Sequence, residues 1–335
     1  MEEVKKHLFI FNFNLMRNFL LKIGLFSVLM VVLGLIFGQL SDHGLRSLRK
    51  GEFGEWNRYR TDSIRSNWII LGNSRAYRHF STQIIDSILR VDSYNLGATN
   101  ATFPFQQLRY NYFRRFANKP SVVIISVDAG TTLHTEDGIP DRQQFIPILN
   151  EPEIQKGLKG YKNGFQWFDY YNPITKYNRC FDAMKQGFFS FIGIPESGVE
   201  RYKGFINENY KWDGTFEQFK AQYPMGKKMP IDENVIEDLI SFIRQTADEG
   251  IRVVMVYSPE YIEGQRLILN RDSIVKIYVD ISNKMGVPFL DYSLHPICYD
   301  KSCFYNTTHL TLDGAAQFSE ILCSDLKLMG NESYR

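Results

Sequence analysis

The sequence predicts an α/β protein, a three-layer sandwich around a central parallel sheet, preceded by one N-terminal transmembrane helix. Three observations predict it. From residue 67 onward, short continuous apolar runs alternate with amphipathic helical stretches, the pattern of parallel strands covered on both faces. Glycines punctuate the ends of these runs at Gly72, Gly97, Gly250 and Gly286. Ahead of them lies an apolar stretch too uniform for a core helix.

That stretch, Ile23–Leu40, carries no charged residue; Phe19, Leu20 and Leu21 extend it, with Lys22 able to snorkel. It reaches the ~20 residues that span a bilayer. No polar stripe marks it, and neither a small-x-small cleavage pattern nor a cysteine for lipidation follows. An uncleaved anchor, cytoplasmic tip plus span, is therefore expected over residues 1–40. Lys5, Lys6, Arg17 and Lys22 before the span nearly balance Arg46, Arg49 and Lys50 after it, so charge alone does not orient it. A short tip followed by a large body fits an inside-to-outside anchor with the body extracytoplasmic. Residues 41–66 read as a charged juxtamembrane linker, with Arg58, Arg60 and Arg65 either on a solvated helix face or touching anionic headgroups or polymers.

The body, 67–330, then unfolds in order. Trp68–Leu71 is a buried strand leading into Gly72-Asn73-Ser74. Ser81 or Thr82 caps a helix with Ile84, Ile85, Ile88 and Leu89 at helical spacing. Tyr94–Leu96 is a short strand, and Pro104 suits the first turn of a helix carrying Phe105, Leu108, Tyr112 and Phe116. Val122–Ile125 is a third strand, Val235–Ala247 an amphipathic helix, and Val253–Val256 a fourth strand. A helix over 274–285, a strand over 287–290 and a closing helix over 312–328 complete five strands. Residues 131–230 break the rhythm. Their many rings, among them Trp167, Tyr170 and Trp212, suit either a satellite core or a sugar-stacking surface.

Composition excludes some classes. The net charge is only +2, which gives no electrostatic footprint for nucleic acid. Aromatic content of 15% argues for a folded chain rather than a disordered one. Cys298 with Cys303 and Cys180 with Cys323 are either two bridges or four thiols, and fit no zinc spacing. His134 with Asp128, Glu136 and Asp137 reads as solvated charge in a polar loop, not a metal site. His79 is read as either a surface residue or a ligand.

Two stretches carry chemistry. Ser74 stands at the carboxyl end of the first strand, where open α/β sheets place their ligand crevice. His309, in Asn306-Thr307-Thr308-His309, stands just before the last helix and supplies the usual base for such a hydroxyl. The catalytic candidates are thus Ser74, His309 and Asn306. The oxyanion candidates are the Ser74 and Gly97 amides and the Asn100 side chain. Tyr257-Ser258-Pro259-Glu260 falls on the same rim by topology. This chemistry requires neither metal nor organic cofactor.

Gly72-Asn73-Ser74 resembles the nucleophile block of the SGNH (GDSL-type) hydrolase superfamily. Asn95-Leu96-Gly97 resembles its second, oxyanion-hole block, and Asn306-Thr307-Thr308-His309 its last, Asp-x-x-His block. The matches span Trp68–Leu328 and leave the anchor and the aromatic insertion unmatched. The resemblance implies a flavodoxin-like sheet and serine esterase or O-acyltransferase chemistry. With the anchor, it points to the extracytoplasmic branch similar to alginate O-acetylation proteins and the D-alanyl transfer protein of teichoic acids. It implies a cell-surface polysaccharide or other acylated substrate, and a multispanning membrane acyltransferase as partner. Two departures stand out. Ser126-Val127-Asp128-Ala129-Gly130 replaces the Gly-x-Asn-Asp block, and Asn306 replaces the aspartate that would stabilise an imidazolium, a change that costs about 10⁴ in a serine protease triad. The alternatives for His309 are a main-chain carbonyl, or Asp291 or Asp313 borrowed from nearby turns. The alternative is a non-catalytic glycan-binding or assembly subunit that uses the aromatic segment.

Overall fold

The computed structural model describes residues 2–135 and 138–332. Its helices are α1 (Glu2–Ser47), α2 (Gly51–Thr61), α3 (Ser74–His79), α4 (Thr82–Leu89), α5 (Phe103–Arg114), α6 (Pro152–Gly157), α7 (Phe181–Phe191), α8 (Thr215–Gln222), α9 (Glu233–Asp248), α10 (Ile262–Gln265), α11 (Arg271–Met285) and α12 (Leu312–Glu332). The strands are β1 (Trp68–Leu71), β2 (Ser93–Asn95), β3 (Val122–Val127), β4 (Arg252–Tyr257) and β5 (Phe289–Asp291). The chain divides into two compact units. One holds residues 1–48, 143–150 and 165–196; the other holds 49–142, 151–164 and 197–335.

The first unit is built on α1. Over Leu15–Ser47 its mean hydropathy reaches 2.6, making it long and apolar enough to cross a membrane. Its apolar side chains stand exposed, Leu25 by 72% and Phe26 by 63%. The C-terminal part of the helix instead packs on α7. Gly44 and Gly187 let the two backbones touch: a Cβ on Gly44 would lie 1.8 Å from the Gly187 carbonyl oxygen. A Cβ on Gly187 would lie 2.2 Å from that of Ser41. The Phe37 and Phe188 rings meet at 4.4 Å, Lys176 pairs with Asp42, and Tyr177 donates to Asp42 Oδ1 at 2.6 Å. Part of the aromatic insertion is therefore the packing partner of α1, although Trp167 and Tyr171 remain exposed.

The second unit carries a five-stranded, all-parallel sheet in the order β2-β1-β3-β4-β5. β3 is buried along its whole length and β4 is buried after Arg252, which explains their unbroken apolar sequence. Against Ile70, Ile124, Val254 and Val256 pack Ala76 and Phe80 of the α3 segment, Ile85 of α4, and Ala315, Phe318 and Leu322 of α12. The order reverses direction between β1 and β3. Open parallel sheets place their ligand crevice beyond the carboxyl ends of strands at such a switch point.

Residues 41–66 are not the solvated linker expected. α1 continues to Ser47, and α2 is built into the second unit with Phe53, Trp56 and Tyr59 buried. Arg109, fully buried, pairs with Glu52 at 2.6 Å and donates to Tyr59 at 2.8 Å, and Arg201 also pairs with Glu52. Burial alone would raise the Glu52 carboxyl, but Arg201 and Arg109 override it and hold its pKa at about 2. Arg58 is likewise tied down, to the Arg201 carbonyl and to Glu200. Alternation of charge and aromatics here encodes a buried ion network, which a hydropathy pattern cannot distinguish from solvated charge. All four cysteines are buried thiols, and burial pushes Cys298 up to about 11 and Cys323 up to about 12.

Replacing Gly44 or Gly187 by valine forces α1 and α7 apart. Each variant is expected to lose about 1–3 kcal/mol or more, the range for overpacking. The loss should appear as a lower melting temperature and as faster proteolysis within 165–196, with the second unit intact.

Candidate active site

The structure brings Ser74, His309 and Asn306 together. β1 ends at Leu71, and Gly72 follows with φ +155°, where an added Cβ would lie 2.7 Å from Ala76 Cβ and 2.8 Å from Ser126 Cβ. Asn73 caps α3, its side chain accepting from the Arg75 amide at 2.9 Å. Ser74 is thus the first residue of α3, so its own N–H has no acceptor within the helix. Its Oγ lies 2.8 Å from His309 Nε2.

Behind His309 stands a polar chain. His309 Nδ1 lies 3.0 Å from Asn306 Oδ1, which also accepts the amides of Thr308 at 3.1 Å and His309 at 2.9 Å. Since that oxygen can only accept, Nδ1 carries the proton and Nε2 is left as the acceptor facing Ser74, the tautomer a general base needs. Asn306 Nδ2 in turn donates to Asp213 Oδ2 at 3.0 Å. The carboxylate expected at Asp291 or Asp313 is therefore supplied by Asp213. Asp291 instead accepts from the Ser293 amide, and Asp313 lies in the first turn of α12. The Asp213 segment is fixed by its amide, which donates to the Tyr305 carbonyl at 2.9 Å. Asp213 came from the aromatic insertion, 93 residues from its partner, where only a lone Trp-Asp-Gly turn marked it.

The electrostatics keep the imidazole neutral. Burial first, then the charges of Arg78 and Arg75, lower His309 to about 3, with Asp213 acting in the opposite direction. The Tyr305 ring stacks flat on it, 5.4 Å away at 6°.

The predicted oxyanion set is only partly in place. The Gly97 amide is already engaged, donating to Asn95 Oδ1 at 2.9 Å. Its glycine answers a packing need, because a Cβ there would lie 2.7 Å from the Tyr77 nitrogen. Asn100 is exposed with φ +51°, and among the described residues no hydrogen bond joins its side chain to the Ser74–His309 pair. The Ser74 amide is the donor that remains.

Several supporting residues were misread or missed. Asp128, expected as solvated charge, is buried at the end of β3. It accepts from the Asn73 side chain at 2.5 Å, from the Thr131 amide at 2.6 Å, from the Thr132 hydroxyl at 2.9 Å and from the Gly130 amide. Glu136 and Asp137 lie outside the described residues. His79 is fully buried rather than on the surface: its Nε2 accepts from the Leu310 amide at 3.1 Å and its Nδ1 faces Ser258 Oγ at 2.8 Å. Ser258 and Glu260, placed on the crevice rim by topology, hold Arg75, with a 2.5 Å ion pair to Glu260. No family model matches the chain, and no curated protein matches it.

Burial lowers the His79 pKa well below 6.5, with Arg75 adding to the effect. Below pH 6.5 the unfolded chain therefore takes up a proton that the folded one refuses, so stability falls as pH drops through this range. His309 adds to the loss down to about pH 3. Denaturant melts at pH 7 and pH 5 should show a smaller loss in His79→Gln, which keeps a donor and an acceptor without titrating.

Proposed function

We propose that the chain is a membrane-anchored serine O-acyl esterase or acyltransferase of SGNH-like architecture, its helices flanking the sheet as three layers. In this reading its body lies outside the cytoplasm and acts on a cell-surface polysaccharide. One observation carries the proposal: the Ser74–His309 contact, backed by Asn306 and Asp213. The motif resemblance supplies the family and the substrate class, and the apolar helix supplies the anchor.

The chemistry balances without a cofactor. Ser74 Oγ attacks the acyl carbonyl while its proton passes to His309 Nε2. The tetrahedral oxyanion faces the Ser74 amide, and collapse breaks the bond to the departing alkoxide, which receives the proton from His309. Water or an acceptor hydroxyl then attacks the acyl-serine with His309 again as base, giving hydrolysis or transfer. A multispanning membrane acyltransferase is the partner that would exchange acyl groups with such a site.

A second reading, a glycan-binding subunit, is favoured by the engaged Gly97 amide and the exposed Trp167 ring. The two separate on one experiment. The full chain in detergent micelles is incubated with 4-nitrophenyl acetate, and intact mass reveals the adduct. An acetyl group on wild type, absent in Ser74→Ala, supports the enzyme. No adduct and no ester cleavage by folded protein would favour the binding role. Because His309 stays neutral, cleavage should persist well below pH 6.5, where an ordinary imidazole protonates.

Asp213→Asn is expected to lower kcat/KM on the order of tenfold, a fraction of the 10²–10⁴ a positioned base supplies. Asn306→Asp alone would set two carboxylates against each other and raise the pKa of one of them. The double variant Asn306→Asp/Asp213→Asn removes that conflict, so it should be the faster of the two.

A further inference from the structure

We propose that Arg78 is a recognition point for an anionic group of the substrate, a carboxylate or a phosphate held one helical turn from Ser74. The inference rests on Ser74 being the acyl nucleophile and narrows the substrate class of that site. Arg78 follows Ser74 by four residues on α3, so the two side chains leave the same helix face, with Cβ atoms about 5–6 Å apart. That separation suits an ester and an acid on opposite sides of one sugar ring, or an ester beside a phosphodiester.

The arginine lacks the counter-charge its neighbours have. Arg75, on the same helix, pairs with Glu260, and Arg201 pairs with Glu52. Among the described residues no carboxylate lies within ion-pair distance of Arg78, and its Nη1 is buried without a hydrogen-bond acceptor. A guanidinium held without an anion is costly unless a ligand completes it. Its position is fixed by rings instead: the guanidinium carbon lies 4.2 Å from the Tyr210 centroid, 5.4 Å from Tyr305 and 5.6 Å from Tyr77. Tyr305 is also the ring stacked on His309, so cation, ring and base form one continuous wall. Stacking and a side-chain hydrogen bond with Tyr210 hold the guanidinium in place, and with Nη1 sealed inside the protein its remaining exposed edge is what a carboxylate or phosphate would meet.

The test compares three acetyl esters on the full chain in detergent micelles: an O-acetylated methyl glucuronoside, O-acetylated glucose 6-phosphate and the neutral O-acetylated methyl glucoside. Wild type should favour at least one anionic ester by about tenfold or more in kcat/KM, the size of one charge-assisted contact. Which anion is preferred separates a uronate from a phosphate source. In Arg78→Gln the anionic-to-neutral ratio should fall to about one, whereas Arg78→Lys, which keeps the charge, should retain part of it. Turnover without anionic preference, or a preference that survives in Arg78→Gln, overturns the proposal. If no ester is cleaved, calorimetry of methyl glucuronoside and glycerol phosphate on Ser74→Ala decides separately. Binding that Arg78→Gln removes would support the anion site and sink the acyl-serine chemistry, and no binding would sink the anion site.

Discussion

The interaction on which the site depends is a buried carboxylate at the end of β3. Asp128 gathers the amides of Gly130 and Thr131, the hydroxyls of Thr131 and Thr132, and the side-chain amide of Asn73. Its carbonyl accepts from Tyr278 of α11 at 2.7 Å. A buried charge persists only where donors surround it, and here one of those donors is the residue that caps α3. Asp128 therefore couples the turn after β1 to the turn after β3, across the point where the strand order reverses. Ser74 is aimed through this clamp, which fixes the cap residue directly before it.

His79 and Arg75 fix the other half of the pair. His79 receives the Leu310 amide and meets Ser258, while Arg75 reaches from the same short helix to Glu260. α3 thus carries Ser74 at its start and the support for the loop that bears His309 at its end. Burial, and then the charges of Arg78 and Arg75 brought close by the same helix, hold the imidazole uncharged. Asp213 opposes them, but through the amide of Asn306, so the negative charge sits one residue further from the imidazole than a directly bonded carboxylate would. Such a site favours a neutral base at rest and stabilises the imidazolium less than a direct aspartate does.

β3 and β4 were the plainest strands because a strand buried on both faces has no reason to alternate, and its apolar run ends where the sheet ends. Ser74 and His309 were legible from position, one at a strand's carboxyl end and the other just before a closing helix. Asp213 was not, because an insertion without periodicity gives no register from which to infer its neighbours. Asn306 looked like a defect for the same reason: the residue that completes it is remote in sequence. Gly97 was read for its amide, whereas what demands a glycine there is the approach of α3. α2 and Asp128 share a different cause. Buried charges in a satisfied network have the composition of solvent-exposed ones, and only partners distinguish them.

The contact between α1 and α7 makes the long apolar helix more than a free extension of the chain. Gly34, Gly38, Ser41 and Gly44 meet Ile174, Pro173 and Gly187 along one face of the helix that also carries the apolar span. A tether can be lengthened or shortened freely, but a helix whose apolar stretch runs into a packing surface cannot. One residue inserted between Gly24 and Gly34 would turn everything before it by about 100° relative to that face. The phase of the apolar turns is thereby locked to the fold of residues 165–196, so the face that the apolar part of α1 presents is inherited from α7, a helix outside that stretch.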